Sequence, residues 1–98
     1  MKTILINYGI SCDLISCPDS IAKNFENHIG GIYNWIRTDP AGAEYREVLF
    51  DGEIGCYIDT EVVLKYINSV CIGENEEKAV LLKSKVSKRE KSHYKISF

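Results

Sequence analysis

Residues 18–37 read PDSIAKNFENHIGGIYNWIR, and this is the stretch that decides the fold. Its large apolar residues recur every three or four positions, at Ile21, Phe25, Ile29, Ile32 and Ile36. This spacing places them on one face of a helix. Pro18 favours the first helical position, where its missing N–H costs nothing, and Asp19 favours the positive N-terminal end. We therefore expect a core helix over residues 18–37, with short strands packed on its apolar face.

Gly30 and Gly31 interrupt this otherwise regular helical pattern. Each glycine inside a helix costs about 0.5–1 kcal/mol relative to alanine. Either the helix breaks at this pair, or it continues and the bare backbone lets a strand or a partner approach closely. Because the apolar spacing keeps its phase across the pair, we favour a continuous or mildly kinked helix.

Two hairpins are predicted around glycine-containing turns. Residues 2–8 and 10–16 are apolar segments joined at Gly9, and on the second segment Ile10, Cys12 and Leu14 would share a face opposite to Asp13. Between residues 45–50 and 53–58, the dipeptide Asp51-Gly52 is typical of a two-residue hairpin turn. The pairs that such a turn predicts are Leu49 with Ile54, Glu47 with Cys56 and Tyr45 with Ile58. Because this set is nearly apolar, we expect it to face the core.

The second half of the chain predicts a helix and a third hairpin. Asp59 or Thr60 can cap a helix whose apolar residues continue at helical spacing to Cys71, before Gly73 ends it. After an acidic turn at 73–77, residues 79–86 and 92–98 would pair around a turn at 89–91. The inner pairs would be Val86 with Tyr94, Ser84 with Ile96 and Leu82 with Phe98. On the outer face Lys85 would oppose Lys95, a like-charged pair that folding does not favour.

The predicted order is therefore ββαββαββ in a single domain, 1–98. This is the α+β class, with a mainly antiparallel sheet of about six strands in three hairpins and two helices packed on one face. A chain of 98 residues with 45% hydrophobic content can build one core but not two. The apolar run in residues 1–8 is too short for a signal peptide or a membrane span, so we expect a cytoplasmic protein.

Charge is strongly segregated along the chain, although the net charge is only −2. Residues 1–38 are neutral, residues 39–77 carry ten acidic residues against Arg46 and Lys65, and residues 78–98 carry seven basic residues against Glu90. The simplest interpretation is two solvated faces that partly neutralise each other in the fold. Either segment could instead be a binding surface.

Candidate metal ligands are the four cysteines and two histidines, Cys12, Cys17, Cys56, Cys71, His28 and His93. Cys12 and Cys17 would point to opposite sides of a strand, which does not fit a structural zinc site. No activating base or oxyanion motif adjoins any cysteine, the carboxylates show no catalytic spacing, and there is no glycine-rich phosphate loop. We therefore expect reduced cysteines, no metal, no cofactor and no enzymatic activity.

Nucleic-acid binding is one alternative, because phosphate contacts need a basic cluster. The last predicted hairpin carries such a cluster: Lys83, Lys85, Lys88, Arg89, Lys91 and Lys95. The acidic middle of the chain argues against this alternative, since it would repel a duplex unless it faced away.

Protein binding through the acidic middle segment is the alternative that we favour. Its carboxylates are interleaved with Tyr45, Phe50, Tyr57 and, on the preceding helix, Trp35, a combination that suits a basic groove on a partner such as a nuclease or a toxin. The predicted contact residues are Glu44, Glu47, Phe50, Asp51, Glu53, Tyr57, Asp59 and Glu61.

In style, residues 1 to about 72 resemble small proteins of phages and mobile elements in low-GC bacteria. The resemblance is carried by the opening LINYGISCDLIS, by the later DGEIGCYIDTEVVLKYIN and by the richness in Ile, Lys and Asn. That group includes anti-CRISPR and other anti-defence inhibitors, so the resemblance implies a non-enzymatic inhibitor. An immunity or antitoxin protein would have much the same sequence character.

Overall fold

In the residues that the computed structural model describes, 1–73 and 76–98, six strands and several helices form an α+β fold. The strands are β1 (Lys2–Asn7), β2 (Cys12–Cys17), β3 (Arg46–Val48), β4 (Ile54–Cys56), β5 (Val80–Val86) and β6 (Tyr94–Ser97). The helices are α1 (Asp19–Lys23), α2 (Phe25–Thr38) and α3 (Thr60–Tyr66), with a 3₁₀ helix at Pro40–Tyr45 and a π-helical turn at Ile67–Cys71. Part of the predicted acidic turn, residues 74 and 75, lies outside the described residues.

β1 and β2 form the centre of a four-stranded mixed sheet of order β5-β2-β1-β6. β2 pairs antiparallel with β1 and with β5, whereas β6 pairs parallel with β1. The predicted third hairpin and its residue pairs are therefore wrong, because β5 and β6 lie at opposite edges and Lys85 does not face Lys95. The reason lies in β1, where Ile4, Leu5 and Ile6 are all buried. A central apolar hairpin needs a neighbouring strand on each side, and the last two strands supply one each.

The main core lies between one face of this sheet and the helices. The sheet contributes Ile4, Ile6, Ile15, Cys17 and Ile96, and the helices contribute Ile21, Phe25, Ile32, Ile36, Val62, Val63 and Tyr66. The predicted helical stripe is confirmed, with Ile29 only partly buried at its margin. Trp35 is also buried, against Tyr45 and Tyr66, so it is not available to a partner as the sequence suggested.

The helix over residues 18–37 is continuous through Gly30 and Gly31, as predicted, but it is interrupted earlier, at Asn24. The Asn24 side chain donates a hydrogen bond to the carbonyl of Ser20 (3.3 Å) and so competes with the helical backbone pattern. Gly31 lies against α3, where a Cβ atom would stand 2.7 Å from the Tyr66 hydroxyl. The bare backbone therefore serves close packing of two helices within the chain.

The β1–β2 hairpin forms as predicted, around a two-residue turn of Gly9 and Ile10. Tyr8 N donates to Ser11 O (2.9 Å), and Gly9 has a φ of +91°, which suits glycine at the first turn position. Ile10 is 98% exposed in this turn, so it does not share the buried face of Cys12 and Leu14 as expected.

The β3–β4 hairpin is a separate two-stranded sheet whose register differs by one residue from the prediction. Arg46 pairs with Cys56, Glu47 with Gly55 and Val48 with Ile54. The loop has three residues, 50–52, because Leu49 N donates to Glu53 O (2.7 Å) and Gly52, with a φ of +84°, closes the turn by donating to Leu49 O (2.9 Å). A glycine of positive φ at the end of a three-residue loop is the second common hairpin type. As a result Leu49 and Ile54 are 44% and 55% exposed, and only Tyr45, Cys56 and Ile58 of the predicted inner face pack on the core.

Helix α3 begins as predicted, with Asp59 as its N-cap: the Asp59 carboxylate accepts from Val62 N at 3.0 Å. Within the π-helical turn, Asn68 Nδ2 donates to Ala79 O at 3.0 Å and Asn68 Oδ1 accepts from Ala79 N at 2.8 Å, which fixes the residue that precedes β5. The segment predicted as a loop, 38–44, contains most of the 3₁₀ helix. Gly42 packs directly on α2 there, since an added Cβ would lie 2.6 Å from Trp35 O.

The sheet face opposite to the helices carries a small second cluster of Leu5, Cys12 and Leu14, with Val86 packed against it. Because β5 and β6 are parallel strands at opposite edges, residues 87–93 must cross from one edge to the other. Contacts with β5 and with β1 tie this crossover to the sheet. Lys83 Nζ lies 3.4 Å from Glu90 Oε1, His93 N donates to the Thr3 hydroxyl at 3.0 Å, and Thr3 N donates to His93 Nδ1 at 3.0 Å. No helix in the described part of the chain has the length and apolar character needed to cross a membrane.

Candidate functional site

The β3–β4 hairpin projects from the rest of the molecule and exposes its apolar side chains. Phe50 at its tip is as exposed as in an extended peptide, at 110%, and Val48 is 82% exposed. The base of the hairpin is held to α2, where Arg46 Nε donates to Ile36 O (2.5 Å) and Cys56 Sγ lies 3.9 Å from Tyr33 O. The hairpin is thus an anchored projection with an apolar tip.

Most of the predicted acidic contact residues lie on or beside this hairpin. Glu47, Asp51 and Glu53 are exposed on the hairpin itself. At its base, the pKa of Tyr57 is raised above its usual value by the negative charge of Asp59, with smaller contributions from Glu47 and Glu61. The negative charges of Asp59, Glu47 and Glu61 therefore all act on the Tyr57 hydroxyl. We call the hairpin together with Tyr57, Asp59 and Glu61 the acidic hairpin surface.

Glu44 stands apart from this surface. Its carboxylate pairs with the Lys65 ammonium, and this hydrogen bond lowers the pKa of Glu44. The same ammonium lies 5.2 Å from the centroid of the Tyr45 ring. Because Glu44 already has a cationic partner within the chain, it adds little charge for a second protein to bind.

A cavity of about 500 Å³ opens beside the acidic hairpin surface. It lies between the hairpin, α2 and the end of the sheet, and it is lined by Tyr8, Ile10, Ser11, Asp13, Tyr33, Cys56, Tyr57, Ile58, Asp59 and Phe98. Tyr57 and Asp59 therefore belong both to the cavity and to the predicted contact set. The other lining residues were not predicted as site residues.

One wall of the cavity is built by hydrogen bonds between distant parts of the chain. The Tyr8 hydroxyl lies 2.6 Å from the Thr60 hydroxyl, which donates to Asp13 Oδ2 at 2.5 Å. Asp13 Oδ1 accepts from Lys85 N at 3.0 Å. Burial, together with the nearby charges of Asp13 and Asp59, raises the pKa of Tyr8 well above its usual value. Tyr8 therefore stays a neutral phenol, and the ring stacks on Phe98 with 5.9 Å between centroids.

Sequence reasoning did not find this cavity because its residues are far apart in the chain. One signal was present: Asp13 is the single charged residue of the mostly apolar strand β2, on the face that packs on the helices. Such a residue needs polar partners, and Thr60 and the Lys85 backbone supply them. The sequence did not reveal that the partners would come from α3 and β5.

The basic residues are distributed over β5, the crossover and β6, and do not line one hairpin. Lys83 is engaged by Glu90, and the Lys85 backbone has a φ of +53° at a bulge in β5. Lys95 is exposed on β6 at the position that pairs with Leu5, while Lys88, Arg89 and Lys91 are exposed in the crossover.

All four cysteines are free thiols, and Cys12 and Cys17 lie on opposite faces of β2. Burial raises the pKa of Cys17 to about 11. Cys71 Sγ lies 3.8 Å from His28 Nδ1, but burial raises the pKa of this thiol as well, so the pair lacks the activated thiolate of a nucleophile. Within 1–73 and 76–98, no three histidine, cysteine or acidic side chains are grouped as metal ligands would be.

Comparison of the chain with models of known protein families, with curated proteins and with solved structures found no match.

Proposed function

We propose that this protein is a non-enzymatic inhibitor that binds and blocks a basic partner protein through the acidic hairpin surface. The observation that carries the proposal is the full exposure of Phe50 at the tip of an anchored hairpin. An exposed aromatic residue costs free energy in water unless a partner covers it. Aromatic anchors surrounded by polar residues are typical of the centres of protein interfaces.

The charge around Phe50 supports a basic partner. Glu47, Asp51 and Glu53 are all exposed, and Val48 and Ile54, which follow Glu47 and Glu53 in the chain, are exposed too. Carboxylates placed around an apolar centre accelerate encounter with a positively charged surface and suppress binding to an acidic one. A groove that normally holds nucleic acid has the complementary charge.

The resemblance to small proteins of phages and mobile elements supports one form of this function, an inhibitor of bacterial defence of the anti-CRISPR type that acts in the cytoplasm. The same surface would serve an immunity or antitoxin protein that neutralises a basic toxin. In both cases the partner is a basic protein, and the acidic hairpin surface occupies the site where that protein binds or cuts nucleic acid.

Nucleic-acid binding stays a second candidate function. The observation in its favour is that Lys88, Arg89, Lys91 and Lys95 are exposed on the crossover and on β6, and the acidic hairpin belongs to a different sheet. The predicted facing pair of Lys85 and Lys95, which a bound phosphate would have relieved, does not form, because β5 and β6 lie at opposite edges of the sheet.

Affinity capture from a lysate of a low-GC bacterium tests the proposal. We expect wild-type protein to retain a basic nuclease or toxin, and Phe50→Ala to lose it. Val70→Ala is the matched control, because Val70 is 52% exposed but lies in the π-helical turn that follows α3, outside the acidic hairpin surface. Capture that is indifferent to Phe50, or turnover of a small-molecule substrate by the purified protein, would refute the proposal.

A further inference from the structure

The cavity beside the hairpin has the composition of a site for an organic cation. Its volume, about 500 Å³, is within the usual range for ligand sites. Two carboxylates, Asp13 and Asp59, line it, and no lysine or arginine is among the described lining residues. A ligand that enters it therefore meets negative charge without an internal counter-ion.

The two carboxylates keep acceptor capacity for such a ligand. Asp59 Oδ1 accepts one bond from Val62 N, and the two Asp13 oxygens accept one each, from Thr60 Oγ1 and Lys85 N. A carboxylate has about four lone-pair sites in total. Each side chain can therefore accept further hydrogen bonds from a donor inside the cavity without losing those that hold the fold.

Aromatic rings form much of the remaining wall. Tyr8 and Phe98 are stacked, and Tyr33 and Tyr57 complete the aromatic lining. Cations are attracted to the faces of such rings within about 6 Å. The chain contains an internal example, since the Arg37 guanidinium lies 6.0 Å from the centroid of the Tyr33 ring.

We propose that this cavity receives an arginine side chain of the basic partner, an inference that rests on the proposed function. A guanidinium offers five N–H donors in a planar fork, which suits two carboxylates better than a single ammonium does. The alkyl stem of the arginine would contact Ile58 and Phe98 on its way in. Since Tyr57 and Asp59 also belong to the acidic hairpin surface, one partner can cover Phe50 and fill the cavity at the same time.

A titration followed by NMR tests the site with purified protein. The probes are ethylguanidinium, a short blocked peptide with one arginine, and the same peptide with neutral citrulline in its place. We expect the first two to shift the ring resonances of Tyr8, Tyr33 and Phe98 saturably, and the citrulline peptide to bind at least about tenfold more weakly.

Variants then assign the binding to the two carboxylates. Asp59→Asn retains a side chain that can cap α3. In Asp13→Asn, the Thr60 hydroxyl can accept a hydrogen bond from the asparagine amide and donate its own proton to the Tyr8 hydroxyl. Each variant should bind the arginine peptide about tenfold more weakly. Glu26→Gln, which removes one charge from the first turn of α2, outside the cavity and the acidic hairpin surface, should bind as wild type does.

Three results would overturn the assignment: no saturable shift, equal binding of the citrulline and arginine peptides, or unchanged binding in both asparagine variants. If ethylguanidinium binds but the arginine peptide does not, the proposal that the ligand is a side chain of a partner protein would be refuted. The titration needs no partner, so it separates the two proposals. Absence of probe binding together with Phe50-dependent capture would refute the cavity site alone. If the probes bind but Phe50→Ala captures the same proteins as wild type, the proposed function would be refuted. The proposal that the arginine comes from that partner would be refuted with it.

Discussion

The Thr60 hydroxyl donates a hydrogen bond to the Asp13 carboxylate, 47 residues away, and so joins α3 to β2. Thr60 is 6% exposed, and the Asp13 carboxylate is half-buried. We expect Thr60→Val to lower the free energy of unfolding by about 1–3 kcal/mol, because the carboxylate loses a donor that water replaces poorly there.

Urea denaturation of Thr60→Val measures this loss. Thr60→Ser is the matched control, since it keeps the hydroxyl and should retain most of the stability. A valine variant as stable as wild type would show that this hydrogen bond contributes nothing net to the fold.

Two glycines in or beside α2 should respond to alanine in opposite directions. At Gly42 a Cβ atom would lie 2.6 Å from Trp35 O and 2.8 Å from Ile36 Cα, both backbone atoms, so Gly42→Ala should destabilise the protein by about 1–3 kcal/mol. At Gly30 an added Cβ meets nothing within 4 Å, and alanine should stabilise the helix by about 0.5–1 kcal/mol. Thermal unfolding of the two variants measures the sign of each change in stability. Equal changes in the two variants would contradict the packing of the 3₁₀ helix on α2.

Cys17 should make the fold sensitive to alkaline pH. Burial raises the pKa of Cys17 from 9.0 to about 11, so the folded state holds this proton more tightly than the unfolded state does. The resulting contribution to stability is fully present below pH 9 and is lost as the pH rises to about 11. We expect the free energy of unfolding to fall across this window, as measured by urea denaturation.

Cys17→Ala is the reference for this measurement. Its stability at neutral pH should be lower, because a buried side chain has been shortened, but its decline between pH 9 and pH 11 should be smaller. Equal declines in the two proteins would assign the alkaline transition to other groups. Tyr8 and Tyr66 are candidates, since burial raises the pKa of each.

Reversal of charge on the acidic hairpin surface should slow association with the captured partner. The variant replaces Glu47, Glu53 and Glu61 with lysine, and we expect its association rate to be at least about tenfold lower. The association rate of the wild type should decrease as the salt concentration increases. Stability should change little, because exposed charges contribute no more than about 1 kcal/mol each. The control reverses Glu26, Glu76 and Glu77, which alters net charge equally but lies off this surface.

The same proteins separate protein binding from nucleic-acid binding. A variant with Lys83, Lys85, Lys88, Arg89 and Lys95 neutralised should associate with the partner as wild type does. Tight binding of DNA or RNA by the purified protein at physiological salt, lost in this variant and retained after acidic reversal, would instead assign function to the basic residues.

Local patterns predicted the elements of this fold better than their partners in space. The helical stripe from Ile21 to Ile36 and the Asp59 cap are read from neighbours along the chain, and both are present. The register of the β3–β4 hairpin depends on whether Gly52 closes a two- or a three-residue loop, and Asp51-Gly52 is compatible with both. The strands with which β5 and β6 pair are set by the free edges of the β1–β2 hairpin. The local sequence of β5 or β6 does not indicate which of these edges each strand will join.

The candidate site shows the same limit. The exposed apolar and acidic residues of the hairpin are consecutive, so composition alone indicated them. The cavity needs Tyr8, Thr60 and Asp13 to meet, and they do so only after β2, α3 and the first turn have assembled.

The parallel pairing of β1 with β6 sets an order of events during synthesis on the ribosome. Tyr94, the neighbour of Ile4 across the sheet, is made 90 residues after it. Until then the outer edge of β1 has unpaired backbone groups beside apolar side chains, which is the kind of edge that associates with other chains. The nascent chain therefore carries an open edge on β1 until β6 has been made and pairs with it.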